Sequence, residues 1–138
     1  TNNEFGIYKE KEESSLQLNF QDERPIFIQL AEQIEDAILS GAFPEETQIP
    51  STTEISVSYK INPATALKGI NMLVDSGIVY KKRGVGMFVA AGSVKLLLEK
   101  RKKEFAEKYV DSLVKEAKRL NLTKEDIFSM IERGFENE

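Results

Sequence analysis

The chain has 138 residues, of which 41% are hydrophobic and 30% charged, and its formal net charge is −4. This length accommodates one domain, or one small domain with an appendage. Cysteine and histidine are absent, which excludes disulfides and thiolate metal sites and removes the commonest general base, so we expect a cytoplasmic protein that is not an enzyme and needs no cofactor.

The first twenty residues predict a polar arm followed by an extended segment. Residues 1–15 are polar and acidic without a secretory pattern, and we expect them to be disordered. Leu16, Leu18 and Phe20 then alternate with polar residues, which indicates a short strand or an extended arm. Apolar runs along the whole chain are a few residues long, where a membrane span needs roughly 20, so we expect no membrane partner.

A helix of about four turns follows, because apolar residues recur at helical spacing from Ile26 to Leu39. Pro25 suits the first turn of this helix. Gly41 lies where a left-handed residue ends many helices.

Two shorter helices are predicted next. The sequence STTE at Ser51–Glu54 is a capping box, and it begins a helix in which Ile55 and Val57 face inwards. Asn62 is the N-cap of a third helix over Pro63–Ser76, with proline at its first position. The apolar stripe of this third helix consists of Ala66, Ile70 and Leu73.

After the third helix the apolar period changes to two. The segments IVYKK and GMFVA flank RGV, a pattern that predicts a β-hairpin. Three helices followed by a hairpin is the order of a winged helix-turn-helix. Residues 57–103 carry ten Lys or Arg and two Asp or Glu, whereas residues 1–56 carry three and twelve. This basic block suits a polyanion-binding surface, although a solvated basic face would have the same composition.

The C-terminal part predicts two amphipathic helices. Apolar residues recur at three- or four-residue steps from Ser93, and Thr123 with Asp126 forms a capping signature for the second helix. Two isolated helices of this size need a partner, either a second copy of the chain or the winged helix itself. We expect a dimer interface formed by Leu97, Phe105, Tyr109, Leu113, Ile127, Phe128 and Ile131.

The sequence resembles a known family across residues 24–90. PIFIQLAEQIEDAILSGAF and IPSTTEISVSYKINPATALKGINMLVDSGIVYKKRGVGMFVA are similar to the N-terminal winged-helix domain of GntR-type bacterial transcription regulators. The short two-helix tail resembles the YtrA branch. This resemblance implies a homodimer held by the C-terminal helices and repression of a nearby operon, such as an ABC transporter operon.

The resemblance carries over to some DNA contacts and not to others. The family's wing glycine and the residue before it match Gly84 and Arg83. Many members place arginines where this chain has Thr53, Pro63 and Leu67. None of these three can make the bidentate guanine contact of arginine.

Candidate DNA contacts lie at the two helix starts, on the exposed face of the third helix and in the wing. We expect Asn62, Thr65 and Lys68 to contact DNA and Leu67 to pack on a thymine methyl. Ser51 and Asn62 could act only as caps, and the wing glycines could serve only the turn. The full set is Ser51, Thr53, Lys60, Asn62, Ala64, Thr65, Leu67, Lys68, Lys82, Arg83, Gly84 and Gly86.

The sequence therefore predicts a mainly α-helical protein with a small β-hairpin wing. Its expected parts are a disordered arm (1–15), a winged helix-turn-helix DNA-binding domain (16–92) and a two-helix dimerisation segment (93–138). The predicted function is that of a homodimeric, sequence-specific repressor of a palindromic double-stranded DNA operator. The alternative is a winged-helix module that binds another protein, and an enzyme is disfavoured because no catalytic constellation can be built. No residue pattern points to a particular small-molecule effector.

Overall fold

The computed structural model describes residues 16–137, so the predicted arm at 1–15 lies outside the described residues. The chain divides into two compact units, and the boundary between them along the sequence falls between Leu98 and Glu99. The elements are α1 (Ile26–Ser40), α2 (Thr52–Tyr59), α3 (Pro63–Asp75), β1 (Val79–Lys82), β2 (Gly86–Val89), α4 (Ser93–Phe105), a π-helical turn (Ala106–Val110), α5 (Asp111–Arg119) and α6 (Lys124–Glu136). The predicted winged helix-turn-helix followed by helices is confirmed.

The helix boundaries follow from the capping residues. Gly41 ends α1 with a φ of 90°, a left-handed conformation that costs glycine little. Ser51 and Glu54 form the predicted capping box of α2. Asn62 caps α3, and its side chain accepts a hydrogen bond from the Ala64 amide at 2.7 Å. Residues 16–19 form no strand, so the strand alternative for this segment is wrong.

The hairpin is anchored along its second strand by the loop that precedes α2. Strands β1 and β2 pair antiparallel with Val79 opposite Val89 and Lys82 opposite Gly86. The Val89 amide donates to the Thr47 carbonyl at 3.0 Å, and the Ile49 amide donates to the Met87 carbonyl at 2.9 Å. The loop therefore acts as a third, irregular edge that fixes the hairpin to the rest of the first unit.

One hydrophobic core fills the first unit and explains its helix packing. It gathers the buried faces of α1 and α3, Ile55 from α2 and both strands, and it extends to Leu97 of α4. Leu97 is 0% exposed, so its predicted place in a dimer interface is wrong; the α4 turn that carries it is part of the winged-helix core. Val57, expected to face inwards, is instead 72% exposed.

The contact between α1 and α3 depends on a glycine. A Cβ added at Gly69 would lie 2.9 Å from the Phe27 backbone carbonyl and 3.0 Å from a Leu30 methyl group. Alanine normally stabilises a helix relative to glycine by roughly 1 kcal/mol. Here we expect Gly69→Ala to destabilise the protein by about 1–3 kcal/mol, because a backbone carbonyl cannot move aside cheaply. Urea unfolding checks this; Gly134→Ala on α6, where an added Cβ meets nothing within 4 Å, should not destabilise.

The second unit consists of helices with a thin interior. Within residues 99–137, Ala117 is the one buried residue. The capping box predicted for α6 is present, with Thr123 and Asp126 exchanging both hydrogen bonds. The π-helical turn before α5 was not predicted. Among the described residues, no helix is both long and apolar enough to cross a membrane.

Candidate nucleic-acid interface

The third helix presents a face that none of the core residues occupies. Ala66, Gly69, Ile70 and Leu73 are buried. The opposite side carries the exposed residues Ala64, Leu67, Lys68, Asn71 and Asp75, while Thr65 is half-buried at its margin. A face of this width and position is what a recognition helix offers to a DNA groove.

The turn between α2 and α3 is held by local hydrogen bonds. Lys60 takes a left-handed conformation with a φ of 55°, which ends α2. The Ser56 hydroxyl donates to the Ile61 carbonyl at 2.7 Å, and the Ile61 amide donates back to the Ser56 carbonyl at 3.1 Å. This reciprocal pair fixes the direction in which α3 leaves α2, with the exposed Lys60 ammonium at the corner.

Ser51 and Asn62 both cap helices, which was the alternative to a DNA-contacting role for these two residues. The Ser51 hydroxyl accepts from the Glu54 amide at 3.0 Å, and the Ser51 amide donates to the Glu54 carboxylate at 2.7 Å. The Asn62 side-chain oxygen is used by its cap, which leaves its amide nitrogen for an external acceptor. Thr53 is exposed on the first turn of α2.

The wing tip is a three-residue loop shaped by its glycines. Gly84 has a φ of 76° and Gly86 a φ of 147°, and neither conformation suits another residue. A Cβ on Gly86 would lie 2.3 Å from the Gln48 amide nitrogen. That nitrogen donates to the Val85 carbonyl at 3.0 Å. Gln48 therefore supports the loop through a contact between residues distant in sequence, which no local pattern indicates.

The wing cations differ in how they are held. The Lys82 ammonium lies 4.3 Å from the centroid of the Phe88 ring, which stacks on Tyr80. Arg83 at the tip is exposed and makes no hydrogen bond or ion pair with the described residues. The wing tip therefore carries a guanidinium that has no partner among the described residues, on a loop held by the Gln48 hydrogen bond.

Tyr80 ties the base of the wing to the loop before α2. Its hydroxyl donates to the Glu46 carboxylate at 2.9 Å. This hydrogen bond to a charged acceptor raises the pKa of Tyr80 above its usual range.

The Lys68 ammonium packs against α1 rather than standing free. It lies 4.1 Å from the centroid of the Phe27 ring. Lys68 was expected to contact DNA, and its side chain remains exposed. A phosphate or base would have to compete with the Phe27 ring for this cation.

The first turn of α4 is fixed to the winged helix by polar contacts as well as by Leu97. The Glu45 carboxylate accepts from the Gly92 and Val94 amides, both at 3.0 Å. The buried Ser93 hydroxyl lies 2.7 Å from the Ile78 carbonyl. Glu45 caps the start of α4, and the Gly92 amide that it accepts from lies 47 residues further along the chain, so no local sequence pattern indicates this cap.

The Glu45 cap predicts a pH-dependent stability. The two amide donors lower the pKa of Glu45 below its usual range. A lowered folded-state pKa contributes stability above the unfolded pKa, and that stability is lost as the pH falls through the folded pKa. We expect Glu45→Gln to lower Tm by a few degrees near about pH 7 and by progressively less below about pH 4. Thermal unfolding across pH checks this; Glu23→Gln, exposed and without a described partner, should leave Tm unchanged.

Exposed apolar side chains on the tail helices are the candidates for a second functional surface. Phe105 is 57% exposed, Phe128 61% and Phe135 80%. Phe105 and Tyr109 contact each other across the π-helical turn with ring centroids 5.4 Å apart. Of the residues predicted for dimerisation, Ile127 is half-buried and Leu97 is buried, whereas the exposed members are Phe105, Tyr109, Leu113, Phe128 and Ile131. We name these five the tail apolar face.

Across residues 16–137, no cluster of three or more acidic side chains is arranged to hold a metal ion.

Comparison with known proteins identifies the family of this arrangement. The model of the gntR family of bacterial regulatory proteins matches residues 28–89. YhcF of Bacillus subtilis, described as an uncharacterized HTH-type transcriptional regulator, is 30% identical over 112 residues, covering 81% of this chain and 91% of YhcF. The repressor YtrA of the same organism is 26% identical over 84 residues, which is 61% of this chain and 65% of YtrA.

Solved structures agree with this relationship. A GntR-family protein from Bacteroides thetaiotaomicron superposes with a TM-score of 0.71 at 32% identity, covering 81% of this chain and 97% of that one. The DNA-binding domain of AraR in complex with its operator ORX1 covers 54% of this chain and 96% of that one, with a TM-score of 0.50 and 30% identity. The chain belongs to the GntR family of bacterial regulatory proteins.

Proposed function

We propose that this protein is a sequence-specific DNA-binding transcription regulator that acts in the cytoplasm as a homodimeric repressor. The observation that carries the proposal is the wing tip, where Arg83 has no described partner and Gln48 braces the loop. A guanidinium without a partner in its own protein is available to bind the phosphates of a polyanion. The AraR domain, which shares this fold, was solved bound to operator DNA.

The exposed face of α3 supplies the second half of the interface. In a winged helix of this kind, α3 would enter the major groove and the wing would follow the backbone or the minor groove. Ser51, Thr53, Lys60 and Asn62 stand at helix starts and at the turn, where phosphates are commonly bound. Ala64, Thr65, Leu67 and Lys68 would then meet base edges. Lys82, Gly84 and Gly86 would support Arg83 at the wing.

The tail apolar face supports the homodimer. Among residues 99–137 only Ala117 is buried, so packing between these helices within one chain contributes little to their stability. A second copy would cover the aromatic and aliphatic side chains and would also place two recognition helices on one operator. A palindromic operator follows from the two-fold symmetry of such a dimer.

The repressor role rests on relatives. YtrA, to which the chain is 26% identical over 84 residues, is described as a repressor. We extend this role to the present chain, with a nearby operon such as an ABC transporter operon as the target.

A salt titration tests the proposed function. Binding of the full chain to an operator from its own upstream region should weaken steeply with salt, with a log–log slope of several units for several phosphate contacts. A scrambled duplex of equal length should bind much more weakly. Equal affinity for both duplexes, or affinity indifferent to salt, would contradict the proposal and favour a protein-binding module.

A further inference from the structure

The side chains on the exposed face of α3 indicate which base pair this helix would read. Leu67 is 48% exposed on this face, with the small Ala64 one turn before it and the amide of Asn71 one turn after it. Residues three or four apart share one side of a helix, so these three side chains form a single row.

This row lacks the groups that usually select guanine. The α3 helix contains no arginine, and its one lysine is Lys68. Lys68 lies beside this row on the exposed side of α3, and its ammonium is 4.1 Å from the centroid of the Phe27 ring of α1. The row therefore presents methyl groups and an amide rather than a paired donor for guanine O6 and N7.

Each of these groups has a counterpart on an A·T base pair. The thymine 5-methyl is the apolar group of the major groove, and apolar side chains contact it. A carboxamide such as that of Asn71 can pair with adenine N6 and N7. An exposed leucine that packs on such a methyl group removes apolar surface from water on both partners, which is favourable.

We propose that Leu67 determines specificity by packing on a thymine 5-methyl group in each half-site of the operator. This inference rests on the proposed function and adds the base that is read. Thymine must then be present at one fixed position of each half-site. Replacing it by uracil, which removes the methyl group and preserves base pairing, should weaken binding about fourfold per half-site.

The experiment uses the full chain and an operator enriched by it from a random-sequence library. Each thymine of that operator is replaced by uracil, one position at a time, and the dissociation constant is measured by fluorescence anisotropy at constant salt. One thymine per half-site should show the loss. The same replacement should have no effect on the Leu67→Ala variant, because the side chain that senses the methyl group is gone.

Val57→Ala is the matched control, since Val57 is also an exposed apolar residue, 72% exposed, but lies on α2. This variant should keep the uracil sensitivity of the wild type. An enriched operator in which no thymine shows a Leu67-dependent loss would overturn the inference and leave the proposed function intact. If no sequence is enriched, both the proposed function and this inference are wrong. The uracil scan on the wild type needs no variant to fold.

Discussion

Leu113→Asp should convert the proposed homodimer to a monomer of 15.6 kDa. Leu113 is 39% exposed within the tail apolar face. A carboxylate placed there would have to lose its water on dimerisation without a partner charge, which is strongly unfavourable. The folded monomer should tolerate the change because the side chain already faces solvent. Operator affinity should fall about a hundredfold or more, because one recognition helix then binds without the second.

Sedimentation and operator binding on the same samples check this prediction. Lys115→Ala is the matched control, since it changes the charge by the same amount on the same helix but lies about 200° around the axis. The control should stay dimeric and keep its affinity. A Leu113→Asp chain that remains dimeric would show that the tail apolar face is not the interface.

Arg83→Ala should weaken operator binding about fivefold to tenfold at ~0.15 M salt. Its guanidinium has no described partner within the protein, so removing it should leave stability unchanged. A dimer loses two such contacts, and the log–log salt slope should fall by about two units. The loss should be similar across operator variants, because a backbone or minor-groove contact carries little base information.

Lys124→Ala provides the comparison for Arg83, since it removes one exposed cation from the start of α6. Affinity and salt slope should be unchanged in this variant. Equal behaviour of the Arg83 and Lys124 variants would mean that the wing does not contact DNA. In that case the basic block of residues 57–103 would be a solvated face.

Local signals allowed most of the fold to be predicted from the sequence. Capping residues act on backbone groups within four positions, so Ser51, Asn62 and Thr123 mark helix starts without any knowledge of the tertiary structure. The change of apolar period at Gly77 likewise located the hairpin, because the pleat of a strand is a local property. These features made the winged helix-turn-helix order recognisable.

Contacts between distant positions could not be predicted. The Gln48 brace of the wing joins residues 37 positions apart. Leu97 and Leu98 both fit the helical stripe of the tail, and only the packing of the first unit decides that Leu97 is buried and Leu98 exposed. The π-helical turn was not predicted because Phe105 and Tyr109 are four residues apart. This spacing places two side chains on the same side of a π-helical turn as well as of an α-helix, so the apolar pattern does not distinguish them.

The measurement that tests the central claim most directly is selection of DNA by the full chain from a random-sequence duplex library. The account predicts enrichment of an inverted repeat whose half-sites are separated by about one helical turn or a multiple of it. Arg83→Ala should enrich the same repeat with lower affinity. A library that stays random after several rounds at ~0.15 M salt would contradict the claim that this GntR-family chain binds an operator.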